Sequence, residues 1–352
     1  MFLPRIGDTL IRMTIFFITG ATGFVGSHVA ERVRAQGHTA RCLVRASSDT
    51  TFLKSIQAEI IVGELTDCDL LKSALHGVDV VVHSAAKVGD WGPVEEYRQV
   101  NVEGLRALLD AVKGLPIGRF VHVSSLGVYE ARHHYGTDET EPLPALHIDG
   151  YTQSKVEAET LALEYHRNHG IPVVVVRPGF IYGPRDRSVL PRLIDRLKAG
   201  SVVYIARGQY ALNTTFVGNL VDAILIVATH PAAVGEVFNI TDGEFVSKRK
   251  FFEAVADGMG LPRPKRNIPL LLAKVLAKWR ERTFRKRNSP TPPRLTQAVL
   301  KFAGLNLDYS IGKARTVLGY KPNIGFDDGM SQAIAWVKGN QKDSPRGVQI
   351  PQ

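Results

Sequence analysis

Short runs rich in β-branched residues alternate with helical patterns through the first half of the chain. The runs are almost continuously apolar, which is typical of strands covered by helices on both faces. This alternation predicts an α/β fold, a doubly wound parallel sheet with crossover helices. The predicted strands are 14–18, 39–44, 59–62, 79–82, 119–123 and 172–176. The predicted helices between them are 25–36, 69–75, 94–113 and 151–169.

The pattern changes after residue 177, where helical segments alternate with short extended pieces and proline-rich breaks. The change predicts a first domain over 13–180 and a smaller, mainly helical C-terminal domain over 181–340, with some strands and helices interleaved. We expect the second domain to bind substrate, and the termini 1–12 and 341–352 to be flexible. The predicted helices of the second domain are 190–199, 221–229, 248–259, 270–285 and 311–318.

The composition excludes several classes of protein. A chain of 352 residues with 44% hydrophobic and 22% charged residues is neither disordered nor collagen-like. No apolar run reaches the roughly 18 residues of a membrane-spanning helix, and two cysteines are too few for a disulfide framework. The first residues lack the apolar segment of a signal peptide, so we expect a cytoplasmic protein. The 11 histidines show no metal-ligand spacing, and we predict no metal site.

A glycine-rich turn, TGATGFVG over residues 19–26, follows the first predicted strand and opens the first predicted helix. Glycines there permit a tight turn and a close approach of the backbone to a pyrophosphate, which the helix N-terminus then faces. A tight βα loop without a ligand is the alternative, but the position inside a βαβ unit favours dinucleotide binding. The predicted contacts of this turn are Gly20, Thr22, Gly23, Phe24, Val25 and Gly26.

The end of the second strand bears on which nicotinamide cofactor is used. An acidic residue there would bind a ribose 2′-hydroxyl and indicate NAD. This chain has Arg45 instead, followed by Ser47 and Ser48, and an arginine can pair with a 2′-phosphate. We therefore favour NADP(H), with NAD(H) as the alternative because Asp49 is close.

Tyr151 and Lys155 are four residues apart at the start of a predicted helix, so their side chains share one face. A neighbouring ammonium and an oxidised nicotinamide would stabilise the phenolate of a tyrosine. The fifth strand ends in Ser124 and Ser125, at the edge where a doubly wound sheet binds ligands. A serine there can donate to a substrate oxygen while Tyr151 transfers a proton. A surface tyrosine beside a solvated lysine is the alternative.

In this order, the turn, the serines and the Tyr–Lys pair resemble the extended short-chain dehydrogenase/reductase family, from Met13 to about Trp336. The resemblance implies a Rossmann domain and a catalytic set of Ser125, Tyr151 and Lys155, because Ser125 aligns better than Ser124. It also implies further cofactor contacts, among them an acidic residue followed by a leucine that lie under the adenine. These contacts are Glu64, Leu65, Ala85, Ala86, Lys87 and Pro178.

Within that family the chain is most similar to the 3β-hydroxysteroid dehydrogenase/isomerase subgroup, through residues 85–92, 213–219 and 309–322. The resemblance implies an NAD(P)-dependent oxidoreductase that interconverts a secondary alcohol and a ketone on a bulky apolar substrate, sterol-like or 3-oxoalkanoate-like. The alternative is a nucleotide-sugar epimerase or dehydratase, although the arginine such enzymes often show near 213–215 is missing here. A cofactor-sensing protein without turnover would not need all three catalytic residues.

The positive charge is concentrated in the last quarter of the chain. Residues 1–260 carry 26 Lys and Arg against 29 Asp and Glu, whereas 261–352 carry 18 against 5. In the segment 269–288, Leu272, Leu276, Trp279 and Thr283 share one helical face with Val275 beside them. Such a basic helix could lie on an anionic membrane or close the substrate pocket. We expect no nucleic-acid partner, and we expect a homodimer. The cations of the segment are Lys274, Lys278, Arg280, Arg282, Arg285, Lys286 and Arg287.

Overall fold

The computed structural model describes residues 13–89, 91–287, 289, 291–293 and 295–343, without the side chains of Arg285 and 341–343. The predicted flexible arm 1–12 and the terminal residues 344–352 lie outside the described residues, as does residue 288 at the end of the basic segment.

A seven-stranded parallel sheet forms the centre of the molecule, in the order β11-β7-β5-β4-β1-β2-β3. Its strands are β1 (Ile15–Thr19), β2 (Thr39–Val44), β3 (Glu59–Val62), β4 (Val80–His83), β5 (Arg119–Val123), β7 (Val173–Pro178) and β11 (Val237–Ile240). The doubly wound sheet and its six predicted strands are confirmed. The seventh strand, β11, comes from the second half of the chain and pairs with β7 at the sheet edge.

Helices cover both faces of this sheet. Other helices pack on one another in the second half of the chain. In chain order they are α1 (Phe24–Ala35), α2 (Thr51–Ser55), α3 (Cys68–Ala74), α4 (Val94–Arg98), α5 (Gly104–Val112), α6 (Gly150–His169), α7 (Val189–Lys198), α8 (Val217–Thr229), α9 (Lys248–Met259), α10 (Leu270–Lys286), α11 (Gln297–Gly304), α12 (Gly312–Leu318) and α13 (Phe326–Asp343). Helices α2, α11 and α13 were not predicted from the sequence.

The two faces of the sheet bury separate apolar cores. Phe16 and Ile18 of β1 pack with α1, α8 and α12, whereas Phe17 between them packs with α3, α5 and α6. Successive side chains of a strand point to opposite faces. Because both faces are buried, the strand must be apolar at every position, which explains the continuous runs in the sequence.

The second half of the chain builds its own aromatic core beside the carboxyl ends of the strands. Tyr182, Phe216, Phe251 and Phe326 pack there, with Tyr182 and Phe251 edge to face at 6.0 Å between ring centroids. Short parallel strand pairs hold the connecting segments in place. The strands are β6 (His134–Thr137), β8 (Phe180–Tyr182), β9 (Val203–Ile205), β10 (Thr214–Phe216), β12 (Arg266–Ile268) and β13 (Leu307–Tyr309).

Candidate active site

The turn between β1 and α1 tolerates only glycine at two positions. Gly20 has a φ of +71°, and a Cβ on it would lie 2.7 Å from the amide nitrogen of Ala85. A Cβ on Gly26 would lie 2.3 Å from the carbonyl oxygen of Gly20. The chain therefore passes close to itself and to the end of β4, and leaves the N-terminus of α1 uncovered by side chains at Gly23. Such a cradle fits the pyrophosphate of a dinucleotide.

The neighbouring strand ends carry the other residues predicted to contact a cofactor. Arg45 after β2 and Glu64 after β3 are both exposed at this edge, while Leu65 is half-buried against Gly104. After β4, the backbone amide of Lys87 donates to Asn101 Oδ1 at 2.7 Å, which fixes the path of the chain past Ala85 and Ala86. The Lys87 ammonium pairs with Glu96.

A short π-helical segment, Gln99–Glu103, separates α4 from α5 and explains how Asn101 reaches this position. The Asn101 side chain also donates to Ser154 Oγ at 2.8 Å on α6. Asn101 thereby ties the loop after β4 to the helix that carries Tyr151 and Lys155. The sequence predicted one continuous helix here, because a single π turn leaves the apolar periodicity nearly unchanged.

The structure brings Ser125, Tyr151 and Lys155 together at the carboxyl end of β5. Asp149 caps α6 by accepting the Thr152 amide at 2.8 Å, so that Tyr151 lies in the first turn of the helix. Tyr151 and Ser125 line the same cavity, and the Ser125 side chain acts to lower the pKa of the Tyr151 phenol. One turn further along, Lys155 Nζ donates to the carbonyl oxygen of Val123 at 2.6 Å.

Burial shifts the pKa values of both titratable members of this group. It raises the pKa of Tyr151 to about 12, assisted by the Asp149 charge and opposed by the Ser125 hydrogen bond. It lowers the pKa of Lys155 to about 8, against the attraction of Glu159. Desolvation thus outweighs the nearby charges. The phenol holds its proton at neutral pH, which is the form that a proton donor requires.

The two adjacent serines have different environments. Ser124 is 3% exposed, and its hydroxyl donates to Glu159 Oε2 at 2.7 Å. Ser125 instead lines a cavity beside Tyr151, and its Oγ accepts the Gly127 amide at 3.0 Å. Of these two hydroxyls, the one at Ser125 is placed to meet a ligand.

A cavity of about 290 Å³ opens beside Ser125 and Tyr151. Its wall is mostly apolar, and it includes Pro178, the last residue of β7, and the following Gly179. Lys301 of α11 also lines it, a residue that was not predicted from the sequence. The signal for it was a lone cation inside the apolar stretch of residues 298–303. The apolar side chains of the wall are Leu126, Phe180, Leu212, Phe302, Leu307 and Tyr309.

Helix α10 packs on the molecule through small residues and leaves its large apolar side chains in solvent. Ala273 and Ala277 are fully buried, whereas Leu271, Val275 and Trp279 are 77%, 66% and 63% exposed. The exposed stripe, defined as Leu271, Leu272, Val275 and Trp279, is therefore turned away from the interior. Of the described residues in these two helices, those that line the cavity are Ala298, Lys301 and Phe302 of α11.

Within the part of the chain that the structure describes, no helix is long and apolar enough to cross a membrane. In the same part, no group of three or more histidine, cysteine, aspartate or glutamate side chains is arranged to hold a metal ion.

The parallel sheet, the glycine cradle and the cluster at the end of β5 define a nicotinamide-dependent enzyme of the short-chain dehydrogenase/reductase class. The NAD dependent epimerase/dehydratase family matches residues 16–241. The chain belongs to this family, and it is an extended short-chain dehydrogenase/reductase of the 3β-hydroxysteroid dehydrogenase-like type.

Similar proteins include oxidoreductases of diverse bacteria. The chain is 30% identical to a 4-hydroxy-2-methyl-3-oxo-4-farnesyl-3,4-dihydroquinoline-1-oxide ketoreductase of Stigmatella aurantiaca, over 89% of this chain and 94% of that one. It is also 30% identical to a 3 beta-hydroxysteroid dehydrogenase/Delta 5-->4-isomerase of Mycobacterium tuberculosis, over 95% and 94%. The crystal structure of gox2253 superposes with a TM-score of 0.78 at 29% identity, over 93% of this chain and 98% of that one.

Proposed function

We propose that this protein is an NADPH-dependent reductase of ketones on bulky apolar molecules, working reversibly as a secondary-alcohol dehydrogenase. The observation that carries the proposal is the cluster of Ser125, Tyr151 and Lys155 at an apolar cavity beside the cradle for a dinucleotide. A nicotinamide cofactor, when bound, supplies or accepts the hydride. The residues that would hold it include the cradle glycines Gly20 and Gly26.

In the reducing direction, Ser125 donates a hydrogen bond to the carbonyl oxygen and so orients the substrate. Tyr151 then transfers its phenolic proton to that oxygen as the carbonyl carbon is reduced. Lys155, fixed on the Val123 carbonyl, stabilises the phenolate that remains. In the oxidising direction the same groups act in reverse, with Tyr151 accepting the proton.

The exposed guanidinium of Arg45 supports a preference for NADP(H). It lies at the end of β2 without an acidic residue at the position that would bind a ribose 2′-hydroxyl. A 2′-phosphate brings two charges that an arginine can pair with bidentately. The proposed preference is therefore for NADPH over NADH.

The cavity favours a ketone over a nucleotide sugar. Its wall is mostly apolar, and no arginine among the described residues lines it. Arg185 pairs with Glu31 at 2.7 Å and stacks on the Phe52 ring. The names of the two relatives, a ketoreductase on a farnesylated quinoline and a hydroxysteroid dehydrogenase, also support an apolar substrate.

The exposed stripe of α10 supports a location at an anionic membrane surface. Exposed cations flank the stripe, and none of the described residues of α10 lines the cavity. A basic helix with apolar side chains in solvent matches an interfacial helix, which would bring the enzyme to substrates dissolved in lipid. The flanking cations with described side chains are Lys274, Lys278, Arg280, Arg282, Lys286 and Arg287.

The test is oxidation of NADPH and of NADH by purified protein with a long-chain 2-alkanone and with a 3-ketosteroid. We expect stoichiometric alcohol formation with at least one of them, faster with NADPH. An epimerase would consume no net cofactor, so turnover of a nucleotide sugar without NADPH oxidation would contradict the proposal.

A further inference from the structure

Lys301 is a buried ammonium in the cavity whose hydrogen bonds are incomplete. Its side chain is 8% exposed, and Nζ donates to the carbonyl oxygens of Gly127 at 2.6 Å and Tyr129 at 2.9 Å. A lysine ammonium has three donors, so one remains for a further acceptor. Among the described residues, no carboxylate lies within ion-pair distance of it.

Among the described residues, the acidic side chain that shares the cavity wall is already engaged. Asp149 accepts the Thr152 amide at 2.8 Å as the cap of α6, and it acts on Lys301 only at longer range. Burial lowers the pKa of Lys301 to about 8, so the ammonium is still the main form at neutral pH. A buried charge without a partner ion is costly, and a ligand carboxylate would relieve that cost.

The position of Lys301 relative to the catalytic serine follows from one shared residue. Nζ contacts the carbonyl oxygen of Gly127 at 2.6 Å, and the amide of the same glycine contacts Ser125 Oγ at 3.0 Å. The backbone atoms of one residue span at most about 3.6 Å. The ammonium thus lies no more than about 9 Å from the serine hydroxyl.

We propose that Lys301 is a carboxylate-binding residue and that the preferred substrates are apolar oxo acids whose carboxylate lies one or two carbons from the ketone. When both hydrogen bonds, each about 2.8 Å long, point inward along the line that joins the ammonium and the hydroxyl, the ketone and carboxylate oxygens are at most about 4 Å apart. This separation matches a 3-oxo or 4-oxo acid. The apolar tail then lies along Phe180, Phe302 and Tyr309. The assignment rests on the proposed reductase function.

A second lysine provides a matched control. Lys248 is 1% exposed, and its Nζ donates to two backbone carbonyls, those of Ala211 and Leu305. It has the same chemistry as Lys301 but is not part of the cavity wall. Loss of either ammonium removes two structural hydrogen bonds, whereas only loss of the Lys301 ammonium removes the proposed ligand contact.

The test compares 3-oxododecanoate, its methyl ester and 11-oxododecanoate, whose ketone is remote from the carboxylate. We expect wild type to prefer the 3-oxo acid over both in kcat/KM. In Lys301→Met the preference for the acid over the ester should fall at least about 30-fold, because a buried charge contact is lost. In Lys248→Met the ratio should stay unchanged. An equal loss on acid and ester in Lys301→Met would assign Lys301 a structural role and overturn the proposal.

Two further measurements separate this inference from the reductase function. If the enzyme oxidised NADPH with neither the acid nor the ester, the proposed function would fail. Calorimetric titration with decanoate and decanamide would still test whether the cavity binds an anion. We expect decanoate to bind wild type more tightly than decanamide, and Lys301→Met to bind both alike. Equal binding of the two by wild type would overturn the inference without any variant.

Discussion

Arg177 Nε lies 3.1 Å from each carboxylate oxygen of Glu159, in an ion pair whose side chains are 5% and 1% exposed. The pair lies directly behind the candidate active site, between the end of β7 and the middle of α6. Glu159 also accepts the Ser124 hydroxyl, and Arg177 donates to the Tyr129 hydroxyl at 2.7 Å. The strand ends that carry Ser125 and Pro178 are thereby tied to the helix that carries Tyr151.

Breaking this pair should destabilise the fold. Glu159→Ala leaves the Arg177 guanidinium buried without a partner, and removal of one member of a buried pair typically costs about 3 to 5 kcal/mol. Urea unfolding measures the loss. The control is Asp257→Ala, which breaks the Arg263 pair whose side chains are 57% and 49% exposed, and it should leave the free energy of unfolding nearly unchanged. Similar losses of unfolding free energy in both variants would contradict the conclusion that burial makes the Glu159–Arg177 pair important for stability.

Removal of the Tyr151 hydroxyl should abolish most turnover. Tyr151→Phe keeps the ring in place, so affinity for the cofactor should hardly change, while kcat should fall by about 10² to 10⁴, the usual contribution of a general acid. Steady-state rates and a cofactor titration measure the two effects. Tyr135→Phe, at a side chain 72% exposed, is the control and should behave as wild type. A Tyr151→Phe enzyme of normal rate would show that the proton comes from another group.

Reversal of the charge at Arg45 should reverse cofactor preference. Arg45→Asp replaces a partner of the 2′-phosphate with a charge that repels it and can accept the ribose hydroxyl of NADH. We expect kcat/KM for NADPH to fall about tenfold or more and that for NADH to rise or hold. Lys72→Asp makes the same charge change at an exposed position of α3 and should leave the ratio of kcat/KM for NADPH to that for NADH unchanged. A wild-type preference for NADH would refute the role of Arg45.

The buried Lys248 should make stability depend on pH. Burial lowers its pKa to about 7, below the value of about 10.4 for an exposed lysine. The unfolded chain therefore binds more protons between these values, and the unfolding free energy attributable to Lys248 rises with pH in that window. Relative to Lys248→Met, wild type should gain up to about 1.4 kcal/mol per pH unit between pH 7.5 and 9.5. A pH-independent difference in urea unfolding would exclude the shift.

The exposed stripe of α10 should bind anionic but not neutral liposomes. Each Lys or Arg near an anionic surface adds about 1 kcal/mol, and salt screens this attraction. Cosedimentation at low and high salt measures it, and changing Arg280, Arg282 and Lys286 to Gln should abolish binding without slowing turnover of a water-soluble ketone. If α10 instead served the cavity, Trp279→Ala would slow turnover and liposomes would not bind. Equal binding to neutral vesicles would contradict the electrostatic mechanism.

Local patterns in the sequence were sufficient to predict six strands of the sheet and the glycine-rich turn. Three of the six predicted strands, β2, β3 and β5, have the predicted bounds. A strand buried on both faces must be apolar throughout. A position where a Cβ would lie 2.3 Å from a backbone oxygen, as at Gly26, must be glycine. Both requirements act within a few neighbouring residues, so they can be read without the rest of the fold.

Tertiary packing decided the features that depend on distant partners. Strand β11 joins the sheet because its segment reaches β7 across more than fifty residues. Only the assembled fold distinguishes Ser124, which is buried, from Ser125, which lines the cavity. The residues that surround the end of β5 come from distant parts of the chain. Helix α11 and its Lys301 went unpredicted for the same reason. A short apolar segment with one cation has no distinctive period, and the packed fold alone turns that cation toward the cavity.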